Sequence, residues 1–168
     1  MKKLCISILA ISLFIITGCE EKKEKELEKN ISETIKIDGE DEADLVCTSD
    51  YDYSDLDYVI GSKYIVFGDK KSVSKVSSVE IISSNDKKRL DSFEDYYNQN
   101  HDIAAKYNGY TSEVNRENKR IVSKVTIDYN EFDLKKFYEE NETENKDDLT
   151  IDSIKKKYES LGATCKKK

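Results

Sequence analysis

The 168-residue chain has no proline and no tryptophan, one histidine, one methionine and four cysteines. At the usual frequency of about 5%, roughly eight prolines would be expected. Alanine and arginine are also scarce, while Lys, Asn, Ile, Tyr, Ser, Asp and Glu are plentiful. Apart from Pro, Ala and Arg, the bias follows codons rich in A and T, which points to an AT-rich genome. Abundance of Lys, Asp or Tyr therefore carries no functional weight, and position and spacing must. Positive charge is not in excess either: 28 Lys plus Arg stand against 35 Asp plus Glu, for a net charge of −7. With hydrophobic residues at 37% and charged residues at 38%, the composition argues against an integral membrane protein and against a nucleic-acid-binding domain with a basic face. The length allows one ordinary domain and little room for a second.

Long apolar runs are missing except at the start. Leu4 through Ile16 is an apolar stretch broken only by Ser7, Ser12 and the small Cys5, and Lys2 and Lys3 precede it. A helix needs about 20 residues to cross a bilayer, so this run is a signal-peptide core, not a permanent span. Ile16, Thr17, Gly18 and Cys19 stand where a bacterial lipoprotein signal places its lipobox, with Ile16 in place of the more usual Leu. Residues 1–18 are accordingly expected to be a lipoprotein signal peptide. Cys19 is expected to become the acylated N-terminus, carrying a covalent diacylglycerol lipid; no cofactor is implied. At about 0.8 kcal/mol per buried CH₂, two acyl chains hold a protein on a membrane where one would let it exchange. The expected location is the extracytoplasmic side of the cell membrane.

Removing residues 1–18 takes away two lysines and no acids, so the net charge moves from −7 to about −9. Such a body is repelled by anionic lipid head groups, which leaves the lipid to provide adhesion. Glu20 to Glu28 is almost entirely Glu and Lys, and Asn30 to Asp44 is polar apart from Ile31, Ile35 and Ile37. Residues 19–43 are thus expected to be a polar tether, followed by a single domain over 44–168.

Cys5 leaves with the signal and Cys19 is taken by lipid, so Cys47 and Cys165 are the remaining thiols. They bracket nearly the whole domain. In an exported protein a disulfide between them is the leading reading, and closing so long a loop stabilises by about 4–5 kcal/mol in the chain-entropy model. Two distant cysteines and one histidine lack the spacing of a metal site, and neither a CxxC pair nor a nearby base marks a catalytic thiol.

From Leu45 the pattern is strand-like. It is strongest from Asp57 to Phe67, then turns at Gly68 to Lys71, and Val73, Val79 and Ile81 alternate along the next strand. The period then changes to about 3.6: Asn85 or Asp86 caps a helix placing Leu90, Phe93, Tyr97, Ala104 and Tyr107 on one side and ending at Gly109. A second hairpin joins Tyr110–Val114 to Lys119–Tyr129. A short helix follows Asn130, with Phe132, Leu134 and Phe137. Thr150 caps a last helix with Ile151, Ile154, Tyr158 and Leu161 on one stripe, closed by Gly162. The expected class is α+β: an antiparallel sheet built from a meander and a hairpin, with a central amphipathic helix and C-terminal helices on one face.

The lipobox, the polar linker, the hairpin Phe67-Gly-Asp-Lys-Lys-Ser-Val-Ser-Lys-Val76, the strand Val125-Thr-Ile-Asp-Tyr129 leading to Asp133 and Leu134, and the terminal Tyr158-Glu-Ser-Leu-Gly-Ala-Thr-Cys165 together resemble the small YehR-like bacterial lipoproteins. The resemblance implies an α+β lipoprotein domain and transfers no catalytic residues.

Candidate sites are few. Asp50, Asp52, Asp55 and Asp57 lie within eight residues and offer oxygen ligands to Ca²⁺, but the Gly and closing Glu of an EF-hand loop are absent, and a solvated loop is the simpler reading. Tyr51, Tyr53 and Tyr58 between them offer stacking faces for a glycan. His101, beside Asp102, has no GxSxG or similar frame and is expected on the surface. Glu139, Glu140, Glu142 and Glu144 sit in a charged stretch with no route to the raised pKa of a glycosidase acid. Lys166 to Lys168 form a solubilising tail or touch anionic lipid. The expectation is a non-catalytic binding or interaction domain at the cell envelope, partnered by the bilayer and an unidentified envelope protein or ligand, not by nucleic acid. The alternatives are a small-ligand or metal-binding lipoprotein serving a transporter and, further off, an envelope hydrolase.

Overall fold

The computed structural model describes residues 27–28, 30–69, 72–140 and 149–168. Residues 1–18, expected as a signal peptide, and Cys19 lie outside the described residues. Three long strands, β1 (Leu45–Tyr53), β2 (Tyr58–Gly68) and β3 (Val73–Ser84), form an antiparallel meander. Helix α2 (Lys87–Ala104) returns the chain along the sheet to the hairpin of β4 (Tyr110–Glu117) and β5 (Arg120–Asp128), and β5 pairs with β3. Helices α3 (Leu134–Glu140) and α4 (Ile151–Ser160) precede a short strand β6 (Thr164–Lys167) on the far edge of β1. The sheet order is β4-β5-β3-β2-β1-β6. This is the α+β architecture expected, with α2 and α4 on one face.

Local chemistry fixes the element ends. The Asp86 carboxylate accepts from the backbone N–H of Lys88 at 2.8 Å and caps α2, satisfying a donor that the first turn leaves unpaired. Thr150 and Ser153 cap α4 reciprocally, a capping box in which serine takes the place of the usual Glu or Gln. α2 ends at Ala104, short of the expected Gly109; Gly109 in the turn before β4 and Gly162 just past α4 take φ 75 and φ 92, a left-handed conformation that costs glycine little. For α3 the cap is Asp133, which accepts from Lys136 N–H at 2.9 Å; the expected start at Asn130 is instead a turn held by Asp128.

Two differences from the sequence reading matter. First, Thr164–Lys167 form β6, so Lys166 and Lys167 of the expected Lys166–Lys168 tail belong to an edge strand. Lys167 pairs with Asp152 at 2.5 Å, and Lys168, just past the strand, donates to the Glu40 carbonyl at 2.7 Å. Second, the stretch expected as a tether up to residue 43 is folded from Asn30 onward. It crosses the second face of the sheet, opposite the large helices, with a single helical turn α1 (Ile31–Thr34) at its start. Ile31, Ile35 and Ala43 are 1%, 3% and 2% exposed, and the first two pack with Val59, Val79, Ile81 and Val122. Burying an isoleucine contributes about 1.5–3 kcal/mol, which makes this polar-looking segment part of the fold.

Cys47 and Cys165 are cross-strand partners of β1 and β6, with sulfurs 2.02 Å apart, and form a disulfide. The bond ties the C-terminal edge strand to the body of the sheet.

Candidate functional site

The face of the sheet beneath α2 and α4 is not uniformly apolar. Near the start of β1, Leu45, Val66 and Val76 pack under Ile151, Ile154 and Tyr158 of α4. Near its end, Ile60, Ile82 and Ile121 pack under Leu90 and Tyr97 of α2. Between these clusters runs a polar row, because the strand register sets Ser49 against Ser62, Ser62 against Glu80, and Glu80 against Ser123. The three serines are buried, at 6%, 0% and 4% exposure.

Glu80 is the centre of the row. Its Oε2 accepts a hydrogen bond from Ser62 Oγ at 2.8 Å, and its Oε1 accepts one from the Tyr97 hydroxyl reaching down from α2. Burial pushes the carboxyl upward in pKa, against the pull of those two donors, since desolvation disfavours the charged form. Tyr97, in turn, is raised well above the usual phenol range by burial and by the Glu80 charge. The buried Tyr64 hydroxyl, beside Ser62 and Glu80, is likewise driven upward, first by burial. No cation faces Glu80 among these neighbours.

One turn after Tyr97, His101 is buried too, contrary to the expected surface position. Its Nε2 lies 3.3 Å from Ser123 Oγ, and its ring sits between Tyr97 and Tyr110. Burial lowers its pKa, opposed by the Asp102 carboxylate. The row thus joins Glu80, Ser123 and His101, a carboxyl, a hydroxyl and an imidazole, on one covered surface. Sequence reasoning placed Val79 and Ile81 on the core side of β3 and so missed Glu80, which shares its parity with Val76 and Ile82 beneath the helices.

The four aspartates of the acidic stretch do not converge. Asp50 accepts from both the amide and the hydroxyl of Ser32 in α1. Asp52 accepts from Ser54 N–H at 3.0 Å, Asp57 accepts from Asn85 at 3.4 Å, and Asp55 lies in the turn between them. Among the described residues, no group of three or more His, Cys, Asp or Glu is gathered to hold a metal. A cleft of about 190 Å³ between Asn30 and β1 is lined by Glu28, Asp50 and Asp52, smaller than the 300–1,000 Å³ of typical small-molecule sites.

Tyr51, Tyr53 and Tyr58 stack on one another, with Tyr58 against Phe93. Tyr58 is buried and the Tyr51 hydroxyl donates to the Leu161 carbonyl, so these rings serve mainly to join α2 and α4 over the sheet. Of the four glutamates, Glu140 pairs with Lys106 at 2.6 Å and accepts from Tyr107 at 2.9 Å. Glu139 pairs with Lys135; Glu142 and Glu144 lie outside the described residues.

No family model, no curated protein and no solved structure matches the chain.

Proposed function

We propose that the chain is an exported bacterial lipoprotein, anchored through Cys19, that presents a non-catalytic binding or interaction domain on the extracytoplasmic side of the membrane. The observation that carries this reading is the N-terminal series Lys2, Lys3, the apolar run Leu4–Ile16, and Ile16-Thr17-Gly18-Cys19, in which charge, run length, small residues and cysteine fall in register. The bonded Cys47–Cys165 pair supports the extracytoplasmic part, since disulfides persist in oxidising compartments.

The non-catalytic part rests on how the acid–base groups are used. Glu80 and His101 hydrogen-bond to buried hydroxyls beneath α2, and a general acid or base must instead reach its substrate's proton within about 3 Å or through one water. Asp50, Asp52 and Asp57 each hold backbone or side-chain donors of the fold. The test is membrane fractionation of the native chain against Cys19→Ser. The native chain is expected in the membrane fraction, labelled by radioactive palmitate, and the variant unlabelled. Equal palmitate labelling of both would remove Cys19 as the anchor.

A further inference from the structure

The docked N-terminal segment sets how the domain stands on its membrane. Seven residues lie between Cys19 and Leu27, eight residue steps in all. An extended chain covers at most about 3.3–3.6 Å per residue, so Leu27 lies within about 29 Å of the lipidated residue whatever path the chain takes. A tether free to residue 43 would allow about three times that reach. The fold removes the difference: Glu28 pairs with Arg120, Ile31 and Ser32 sit directly on Gly61 and Asp50, and the Lys63 ammonium holds the Ile35 carbonyl and Glu40.

The entry point is at one end of the sheet. Arg120 begins β5, and the cleft holding Glu28 and Asn30 is walled by Asp52 at the end of β1 and Val59 at the start of β2. The β1–β2 turn, the start of α2 and the β4–β5 turn share this end. The opposite end carries the β2–β3 turn and α3. Glu28 is held by Arg120, which faces Ser83 near the end of β3, and the ten residue steps from there back to Val73 at the start of β3 span about 33 Å at 3.3 Å per residue, which exceeds the reach of the leash. An inverted domain, with α3 against the bilayer, would hold Leu27 too far from Cys19.

Resting on the lipid anchor proposed above, we infer that the end formed by the β1–β2 turn, the start of α2 and the β4–β5 turn is the membrane-facing surface, and that its partner is the lipid bilayer. Lys87, Lys88 and Lys119 are exposed there beside Asp55 and Asp86. The opposite end is held outward for whatever the domain meets in the envelope.

The test uses lipidated protein extracted from membranes and reconstituted into phosphatidylethanolamine and phosphatidylglycerol vesicles containing acceptor-labelled lipid. Donor dye is placed on Lys119→Cys at the near end or on Lys135→Cys at the far end, where the lysine side chain is 85% exposed. Energy transfer is expected to be at least about twofold stronger from position 119, given a separation of about 33 Å. Inserting a flexible Gly/Ser segment of about twenty residues after Glu20, outside the described fold, should bring the ratio towards one. Equal transfer from both sites in the native-length chain would overturn the inference, as would a ratio unchanged by the insertion. Failure of the anchor itself looks different: neither labelled chain would bind vesicles, and both proposals would fall together.

Discussion

The backbone amide and the hydroxyl of Ser32 both donate to the carboxylate of Asp50, a residue 18 positions further along the chain. That contact fixes the first turn of the folded chain to the middle of β1 and makes the N-terminal stretch a structural element. Replacing Asp50 with Ala leaves the buried Ser32 without its acceptor, at a cost of about 1–3 kcal/mol. Urea unfolding is expected to show that loss, and limited proteolysis should cut earliest between residues 27 and 43. Protease resistance equal to that of the native chain would mean that the contact does not hold the segment.

Gly61 is the second anchor. A Cβ at this position would lie 2.5 Å from Ile31 Cβ and 2.7 Å from the Ser32 backbone nitrogen, so α1 can sit on β2 only because the strand has no side chain there. Gly61→Val should undock the segment and expose Ile31 and Ile35, a loss of about 3–6 kcal/mol for two isoleucines. Hydrogen exchange is expected to quicken from Ile31 to Ile35 in this variant. Unchanged protection would contradict the packing described.

Much of this was legible in the sequence, and the misses have physical causes. The unbroken β-favouring run of β2, buried on both faces, and the 3.6-residue stripe of α2 are driven by burial, and burial leaves a record in the sequence. Residues 30–43 bury only a few isoleucines among charges, so composition outweighs the spacing of Leu27, Ile31 and Ile35, an i, i+4, i+8 series that was the available signal. His101 likewise falls between Tyr97 and Ala104 on the buried stripe of α2. Nothing comparable announces Glu80, because both faces of β3 are covered and the strand's alternation does not say which face takes the helices. β6 is four residues of mixed polarity, and only the cysteine pair hinted at its partner.

Glu80 gives the fold an unfavourable dependence on high pH. Burial raises its carboxyl above the ordinary value, so the folded chain binds this proton more tightly than the unfolded one. Its contribution is fully present below the unfolded pKa of about 4.3 and is lost as pH rises through the folded value. Glu80→Gln keeps a polar group between Ser62 and Tyr97 without the charge. Its stability relative to the native chain should rise with pH, reaching on the order of 1–3 kcal/mol above the raised pKa. Parallel stability curves from pH 4 to pH 9 would refute the buried-carboxyl account.

His101 works in the opposite direction. Burial lowers its pKa, so the unfolded state binds the proton more readily and the contribution, present above about 6.5, is lost as pH falls through the folded value. His101→Gln is expected to flatten the acid limb of the stability profile and leave the alkaline limb unchanged. An NMR titration that finds the imidazole at or above the ordinary value in the folded chain would contradict this.

The disulfide closes the outer edge of the sheet, where β6 is held to β1 over four residue pairs. Reduction, or the double change Cys47→Ala and Cys165→Ala, should lower stability by about 2–5 kcal/mol. The amides of β6 should lose hydrogen-exchange protection before those of β2 and β3. Loss of protection across the whole sheet at once would show that the bond holds more than the edge.

Intact-mass analysis of the membrane-extracted protein, run without reductant, reads the proposed lipid anchor and the state of the Cys47–Cys165 pair in one measurement. The expected species begins at Cys19, carries the mass of a diacylglycerol group, and resists thiol alkylation at Cys47 and Cys165 until reduced. A chain that begins at Met1, or at Glu20 without lipid, with both thiols freely alkylated, would contradict the account.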